Sequence, residues 1–203
     1  MDFDEPNLDD LKTPDTPACA AALEVATAYC SPAILNHCVR AYIWAAAHGT
    51  AHGIPYDPEL LYVAAMLHDI ALMPEFDSHT VGFEQAGGHV AWVFAAGAGW
   101  PVARRRQLAE VIVAHMLDDV DVHRDPEGHL LERSTSLDIS GRHMDDFPAA
   151  FTAEVLGRHP RLGIAEEFLA CFRDQAARKP DSSPAAALRN DIAGRILTNP
   201  LDS

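Results

Sequence analysis

The sequence predicts an all-α fold in which helices pack on helices. Three early helix starts are marked by a capping residue followed by proline, at Thr16-Pro17, Ser31-Pro32 and Asp57-Pro58. Apolar residues then recur with the helical period of 3.6 residues in one segment after another. No stretch alternates apolar and polar residues for long enough to predict a strand. These observations favour a helical bundle.

The predicted elements follow a polar, acidic N-terminal lead-in at residues 1–13. A first helix runs from Pro17 through Ala28, a second occupies residues 33–49, and a third occupies residues 60–73. The later helical patterns are at residues 83–98, 101–116, 129–140, 148–159, 162–179 and 184–197, and loops are predicted at 74–80 and 117–128.

Length and composition indicate one domain. A chain of 203 residues that is 48% hydrophobic can bury a substantial core, and we assign residues 14–203 to it. The formal charge of −15 argues against binding to nucleic acid or to an anionic membrane. The four cysteines show no CxxC spacing, and no secretory signal or membrane span is recognisable, so we expect a cytoplasmic protein. The alanine-rich first helix and the apolar terminal helices could support a homodimer.

The third predicted helix carries the first indication of a functional site. Its sequence, LLYVAAMLHDIALM, is apolar around almost the whole circumference, which is typical of a helix buried inside a domain. His68 and Asp69 interrupt this apolar surface. An ionised carboxylate at Asp69 would have no partner on its own helix, and burying an unpaired charge costs several kcal/mol. A metal ion held by both residues would satisfy the carboxylate.

Two further residues extend this pair into a candidate metal site. His37 in the second helix and Asp138 late in the chain add an imidazole and a carboxylate to His68 and Asp69. Such ligands suit zinc, and also iron or manganese. We therefore expect one divalent metal ion, whose identity these ligand types leave open, held between helices of the bundle. The spacing along the chain is long and does not establish the site by itself.

Several phrases of the sequence resemble one known family. The series His37, His68-Asp69 and Asp138 is similar to the H…HD…D signature of the HD-domain superfamily of metal-dependent hydrolases. The phrases LNHCVRAYIWA, AAMLHDIAL, VGFEQAGGH, LAEVIVAHM and SLDISG resemble its cyanamide hydratase-like branch. The likeness covers residues 16–195, including the ending GRHPR…F…KP. It implies an HD-domain helical bundle.

The resemblance also implies roles for individual residues. It implies that His37, His68, Asp69 and Asp138 hold one metal ion, which is commonly zinc in the hydratases. It implies that His115 lies near the open coordination position, where it would contact the substrate or transfer a proton. We therefore expect His115 and Asp69 to be the catalytic residues.

Some residues around this centre match the family pattern, and others depart from it. Asn36 and Arg40 match its NHxxR phrase, where we expect them to support the ligands or the substrate. His89 is a further candidate for the substrate site, although a surface or core role fits it equally well. Gly82 and Ala86 stand where the fungal hydratases have an arginine and an acidic residue. These two departures put cyanamide itself in doubt as the substrate.

Each candidate ligand also has a purely structural interpretation. The pair His68 and Asp69 could be satisfied by serine hydroxyls or backbone amides, and His37 could be a core histidine bonded to a carbonyl group. Asp138 could form a surface ion pair of little energetic value. His115 ends an apolar helical face, where an imidazolium could merely complement the negative helix terminus.

The expected nucleophile is a metal-bound hydroxide, because zinc lowers the pKa of bound water from about 15.7 toward about 7. The first hypothesis is a hydrolase or hydratase that attacks a small nitrile- or amide-like substrate. The alternative is an HD-type phosphohydrolase acting on a nucleotide or related phosphoester, and a second alternative is a non-catalytic ligand-binding module. Arg40 is the only basic residue that the sequence places near the metal, which slightly favours a weakly charged small molecule.

Overall fold

A computed structural model describes residues 7–202, and every regular element in that range is a helix. The all-α prediction is therefore confirmed. None of these helices combines the length and the apolar character needed to cross a membrane. The α-helices, in chain order, are α1 Pro17–Tyr29, α2 Pro32–His52, α3 Pro58–Leu67, α4 Phe83–Gly97, α5 Val102–Ala114, α6 Pro126–Ser140, α7 Ala149–Arg158, α8 Ile164–Arg178, α9 Ser183–Arg189 and α10 Ile192–Leu197. Short 3-10 helices lie at Leu8–Asp10, Ile70–Leu72, Met144–Asp146 and Pro200–Asp202.

The predicted helix starts are confirmed by their caps. The side-chain oxygens of Thr16, Ser31 and Asp57 each accept a hydrogen bond from a backbone N–H in the first turn of α1, α2 and α3. Asp125 caps α6 in the same way, one residue before a proline. The predicted loop at residues 117–128 is therefore slightly too long, because this fourth cap and proline begin the helix inside it.

Helix α3 lies at the centre of the bundle. Every residue from Leu60 to Leu67 is buried, as its apolar circumference predicts. It packs against α1, α2, α5 and α6, while α2 packs against α3, α6 and α8. The two helices that carry the predicted histidine ligands are thus held from several sides.

The prediction of one helix over residues 60–73 is wrong at its C-terminal end. Helix α3 ends at Leu67, and Asp69 leaves the helical conformation with φ −100° and ψ 5°. The ring of His68 donates a hydrogen bond from Nδ1 to the carbonyl of Ala65 at 2.8 Å. That carbonyl is the one that the N–H of Asp69 would use in a continuing α-helix. His68 and Asp69 therefore lie at a helix terminus, where their side chains can point to the same region.

Two glycines let α4 approach this terminus. A Cβ atom at Gly87 would lie 3.3 Å from the carbonyl oxygen of His68, and one at Gly88 would lie 3.1 Å from that of Ala109 in α5. Larger residues would push α4 away from both neighbours. The two glycines thus allow close packing of α4 against α3 and α5.

The two ends of the chain differ from their predictions in detail. The lead-in of residues 1–13 is described from residue 7, where Leu8 is buried in a cluster with Trp44 and Phe151; residues 1–6 lie outside the described part. The helix predicted at 184–197 is divided into α9 and α10 by Asp191, which has φ 58°. Aspartate tolerates this left-handed conformation better than most residues.

Candidate metal centre

Three predicted ligands converge between α2 and the end of α3. The Nε2 atoms of His37 and His68 lie 3.1 Å apart, and Asp69 Oδ2 lies 3.4 Å from the first and 3.2 Å from the second. All three side chains are buried. Their nitrogen and oxygen atoms form a group compatible with holding one metal ion, with every atom within 4.8 Å of the others.

Hydrogen bonds on the outer sides of the two rings determine which atoms face inward. His68 Nδ1 donates to the Ala65 carbonyl at 2.8 Å, and His37 Nδ1 donates to Asp138 Oδ2 at 2.7 Å. A neutral imidazole that donates through Nδ1 has an unshared electron pair on Nε2. Two nitrogen electron pairs and the Asp69 carboxylate therefore point toward the same place.

This donor set fits a divalent metal ion. Both oxygens of Asp69 are buried, and neither accepts a hydrogen bond from the described residues. An uncompensated carboxylate in that position costs several kcal/mol. Ligand atoms placed about 2.0–2.1 Å from zinc lie about 3.0–3.4 Å from one another, which agrees with the separations of 3.1–3.4 Å in this group. Iron and manganese use the same kinds of ligand.

The structure does not bring Asp138 into this group, in contrast to the prediction of a fourth ligand. Asp138 lies behind the ring of His37, on the side away from His68 and Asp69. Arg40 donates to both of its oxygens, each at 2.8 Å, and Trp44 Nε1 donates to Oδ1 at 3.1 Å. The buried carboxylate of Asp138 thus has protein partners on both oxygens, and it orients His37 from outside the group.

Three residues that hold Asp138 in place were missed by the sequence analysis. Arg161 Nη1 and Asn199 Nδ2 both donate to the backbone carbonyl of Asp138, at 2.5 and 2.9 Å. Trp44 also escaped notice, although it follows Arg40 by one helical turn on α2. That spacing was the available signal for Trp44. Nothing in the sequence indicates that the C-terminal Asn199 reaches this carbonyl.

The electrostatics of the two carboxylates and His37 reflect these contacts. Burial raises the pKa of Asp138, but Arg40 and His37 lower it by more than burial raises it. The pKa of Asp138 therefore lies well below its ordinary value. Burial also raises the pKa of Asp69, and the neighbouring His68 and His37 again outweigh it. Burial lowers the pKa of His37, while Asp138 and Asp69 raise it above the usual range. A metal ion binding at His37 would displace a proton that these carboxylates favour.

His115 lies at the edge of the group, at the C-terminus of α5. It is buried, its Nδ1 donates to the carbonyl of Ile112, and its Nε2 is 3.8 Å from Asp69 Oδ1. Burial and the nearby His68 lower its pKa to about 4. His115 is therefore neutral at pH 7 and directs an unprotonated nitrogen toward Asp69. The structural alternative, an imidazolium complementing the helix terminus, does not agree with this lowered pKa.

The remaining candidates lie farther from the group. Asn36 donates to the carbonyl of Pro160 at 2.9 Å, and Arg40 donates to that carbonyl and to the one of His159 as well as to Asp138. Both residues tie α2 to the segment before α8. His89 is exposed in a groove between α4 and α5, and the structure does not place it with the other candidates.

A cavity of about 250 Å³ opens onto the group. His37, His68, Asp69 and His115 form one part of its lining. The rest of the lining comes from the segment after α5, from α6, α8, α9 and α10, and from residues that follow α6 and α9; it includes Leu117, Asp118, Thr135, Ser136, Ile139, Ser140, Arg142, Phe168, Phe172, Ser183, Asn190 and Arg195. The volume lies just below the range of roughly 300–1,000 Å³ typical of small-molecule sites, so the cavity suits a small ligand.

Comparison with known proteins agrees with this geometry. The HD domain family model matches residues 34–145, a little more than half of the chain. The matched range contains His37, His68, Asp69, His115 and Asp138. No curated protein matches the sequence. HD domains are generally metal-dependent hydrolases that bind divalent metals. This chain belongs to the HD domain family.

Proposed function

We propose that this protein is a metal-dependent hydrolase or hydratase that acts on a small nitrile- or amide-like substrate in the cavity beside His37, His68 and Asp69. The observation that carries the proposal is the buried Asp69 carboxylate, which lacks a hydrogen-bond partner in residues 7–202 and whose Oδ2 lies 3.4 and 3.2 Å from the Nε2 atoms of His37 and His68. A divalent cation is the partner that this arrangement accepts most readily. We propose zinc first, with iron and manganese as the alternatives.

Some side chains of the protein would hold and orient the metal ligands, and His115 would transfer a proton or bind the substrate. A divalent ion bound there supplies Lewis acidity, which polarises the substrate and makes coordinated water acidic. His37 is kept in its orientation by Asp138, and Asp138 by Arg40 and Trp44. His115, neutral and close to Asp69, can accept a proton at Nε2 or hold the substrate by a hydrogen bond. Such a proton transfer contributes roughly 10²- to 10⁴-fold in rate.

Hydrolysis of a small phosphoester is the second candidate, and the cavity lining supports it. The sequence favoured a weakly charged substrate because Arg40 was the only basic residue near the metal. In the structure Arg40 is buried behind Asp138 and donates hydrogen bonds to that carboxylate, so it does not face the substrate cavity. Arg142 and Arg195 line the cavity instead, and guanidinium groups suit phosphate oxygens.

Metal analysis paired with a substrate panel tests the proposal. The protein, reconstituted separately with zinc, iron and manganese, is assayed on nitriles including cyanamide, on amides and on phosphoesters. We expect one metal ion per chain and turnover within the nitrile and amide group. His68→Ala should lose both, whereas His89→Ala, which changes an exposed histidine outside the cavity, should keep both.

Other outcomes of the same panel would change the proposal. Turnover confined to phosphoesters would replace the first candidate by the second. A stoichiometric metal ion without turnover of any compound would indicate the ligand-binding module instead of an enzyme.

A further inference from the structure

We propose that Arg142 and Arg195 form an anion-binding subsite in the cavity, so that the substrate carries a carboxylate or phosphate group in addition to the group that reacts. This inference rests on the proposed function in one respect, because it takes the ligand of the cavity to be the substrate. It goes further by naming the charge of that substrate and the two residues that recognise it.

Arg142 follows the C-terminus of α6 and is held only loosely. Its Nη1 atom lies 3.4 Å from Glu132 Oε1 and 3.4 Å from the hydroxyl of Ser136, and its Nη2 atom lies 3.5 Å from the carbonyl of Asp118. Each contact is longer than a strong charge-assisted hydrogen bond of about 2.7–2.9 Å. Glu132 already accepts a shorter bond of 2.8 Å from Ser136. The guanidinium of Arg142 therefore keeps donors for a ligand.

Arg195 on α10 has still fewer partners. Its only hydrogen bond within the described residues runs from Nη2 to the carbonyl of Asn190 at 3.3 Å, and no carboxylate pairs with it there. Arg189 likewise pairs with no carboxylate in the described residues, but several other arginines are bound more tightly. A carboxylate oxygen lies within 2.5–2.8 Å of a guanidinium nitrogen in Arg104, Arg133, Arg158, Arg161 and Arg178.

The charges around the cavity favour an anion within an otherwise acidic protein. The whole chain has a formal charge of −15. In the cavity lining, the formal charges of Asp69 and Asp118 are balanced by those of Arg142 and Arg195. The lining of the metal-free cavity is therefore neutral in formal charge within a strongly acidic molecule, and Arg142 and Arg195 are the groups in it that would attract an anion.

The subsite is separate from the group that would hold the metal. No hydrogen bond or ion pair in residues 7–202 joins Arg142 or Arg195 to His37, His68 or Asp69. Apolar side chains line the same cavity. Phe168 packs against His37 with ring centroids 6.0 Å apart, and Phe172 packs against Phe168 at 4.5 Å. A ligand with a short apolar body, a reacting group and an anionic group fits this combination.

Calorimetric titration of the metal-free protein tests the subsite without interference from a metal. The probes are benzoate, phenyl phosphate and benzamide, which is close in shape to benzoate but uncharged. We expect benzoate or phenyl phosphate to bind at least ~10-fold more tightly than benzamide, and more weakly as salt is added. Arg142→Gln and Arg195→Gln should each weaken anion binding by roughly 10- to 100-fold and leave benzamide unaffected.

The control variant is Arg189→Gln on α9. Arg189 is exposed, lies outside the cavity lining, and among residues 7–202 donates only to the carbonyl of Pro180. The Arg189→Gln variant changes the net charge by the same amount as the two test variants. Because Arg189 lies outside the cavity, we expect this variant to leave the affinity for all three probes unchanged. The relative affinities of benzoate and phenyl phosphate show whether a carboxylate or a phosphate is the preferred group.

Two results would overturn the inference. One is equal affinity for benzamide and for both anions, and the other is anion binding that Arg142→Gln and Arg195→Gln leave intact. Both readouts are independent of turnover and of the metal. Failure of the proposed function would instead appear as missing metal or missing turnover in a protein whose anion binding still depends on the two arginines.

Discussion

Two buried carboxylates on opposite sides of the His37 ring show how different the surroundings of the same chemical group can be. Asp138, behind the ring, accepts hydrogen bonds from Arg40, Trp44 and His37. Asp69, in front of the ring, is buried to the same degree but accepts no hydrogen bond from the described residues. The difference distinguishes a carboxylate that the fold itself satisfies from one that is left without a hydrogen bond in a group that could hold a metal ion.

The two carboxylates also differ in what lowers their pKa values. The pKa is lowered for both carboxylates, but for Asp138 a permanently charged arginine contributes most of the lowering. For Asp69 the lowering comes from two neighbouring histidines, His68 and His37. We therefore expect the region behind the ring to be a scaffold that does not depend on metal, and the region in front to depend on it.

Replacement of Asp69 by asparagine should have the largest effect. The substitution keeps the shape of the side chain but removes its charge, so we expect metal binding to be lost. Turnover should then fall by more than ~10⁴-fold, since water without a metal is far less acidic. Assays of the zinc-reconstituted variant measure this, and circular dichroism checks that the helices are intact. Turnover near the wild-type level would remove the distinction between the two carboxylates.

Replacement of His115 by glutamine tests the same front region without touching the group of three ligands. We expect a 10²- to 10⁴-fold loss of kcat with the metal retained, because glutamine can form hydrogen bonds but cannot accept a proton. Steady-state kinetics and elemental analysis of one preparation separate the two effects. Full activity in this variant would show that His115 takes no part in the reaction.

Replacement of Asp138 by asparagine should instead affect stability in the absence of metal. Removal of this charge leaves the buried Arg40 without its counter-ion, which costs about 3–5 kcal/mol. Denaturant unfolding of the metal-free protein measures the loss. Asp145→Asn is a suitable control, because it changes the net charge equally in a short 3-10 helix that contains no buried residue. A stability equal to that of the wild type would contradict the scaffold role.

Replacement of Trp44 by phenylalanine should have a smaller effect of the same kind. The aromatic ring is kept, while the N–H that donates to Asp138 Oδ1 at 3.1 Å is lost. We expect a cost of about 1–2 kcal/mol, because the hydrogen bond has a charged acceptor that keeps its other partners. Unfolding curves of the metal-free variant measure the change. A loss as large as that of Asp138→Asn would mean that ring packing dominates at this position.

Asp77 extends the comparison to a carboxylate near the surface. Burial raises its pKa, but Gln175, Lys179 and Arg178 lower it to about 2. Since the folded-state pKa lies below the unfolded value of about 3.9, the stabilisation is complete above about pH 5 and disappears as the pH falls through 4 toward 2. At pH 6 we expect Asp77→Asn to be less stable by about 1 kcal/mol, because water screens the pairs. A difference that persists at pH 2 would contradict this.

The sequence predicts these regions unequally. Prolines after capping residues mark the helix starts, and the apolar circumference of α3 identifies the burial of His68 and Asp69, because both signals are local. The position of Asp138 cannot be predicted in this way, since it depends on which nitrogen His37 turns toward the metal site and on where Arg40 points. The approach of Arg142 and Arg195 to one cavity depends likewise on the packing of α6 and α10. The end of α3 was missed because the His68 ring occupies the carbonyl of Ala65.

The central claim is that Asp69, together with His37 and His68, holds a divalent metal ion. Titration of zinc into metal-free wild-type protein and into Asp69→Asn tests it most directly, with calorimetry as the readout and elemental analysis after dialysis as the check. The account predicts one tightly bound zinc ion in the wild type and a loss of affinity of at least ~100-fold in the variant. Equal zinc binding by both proteins, or none by the wild type, would contradict it.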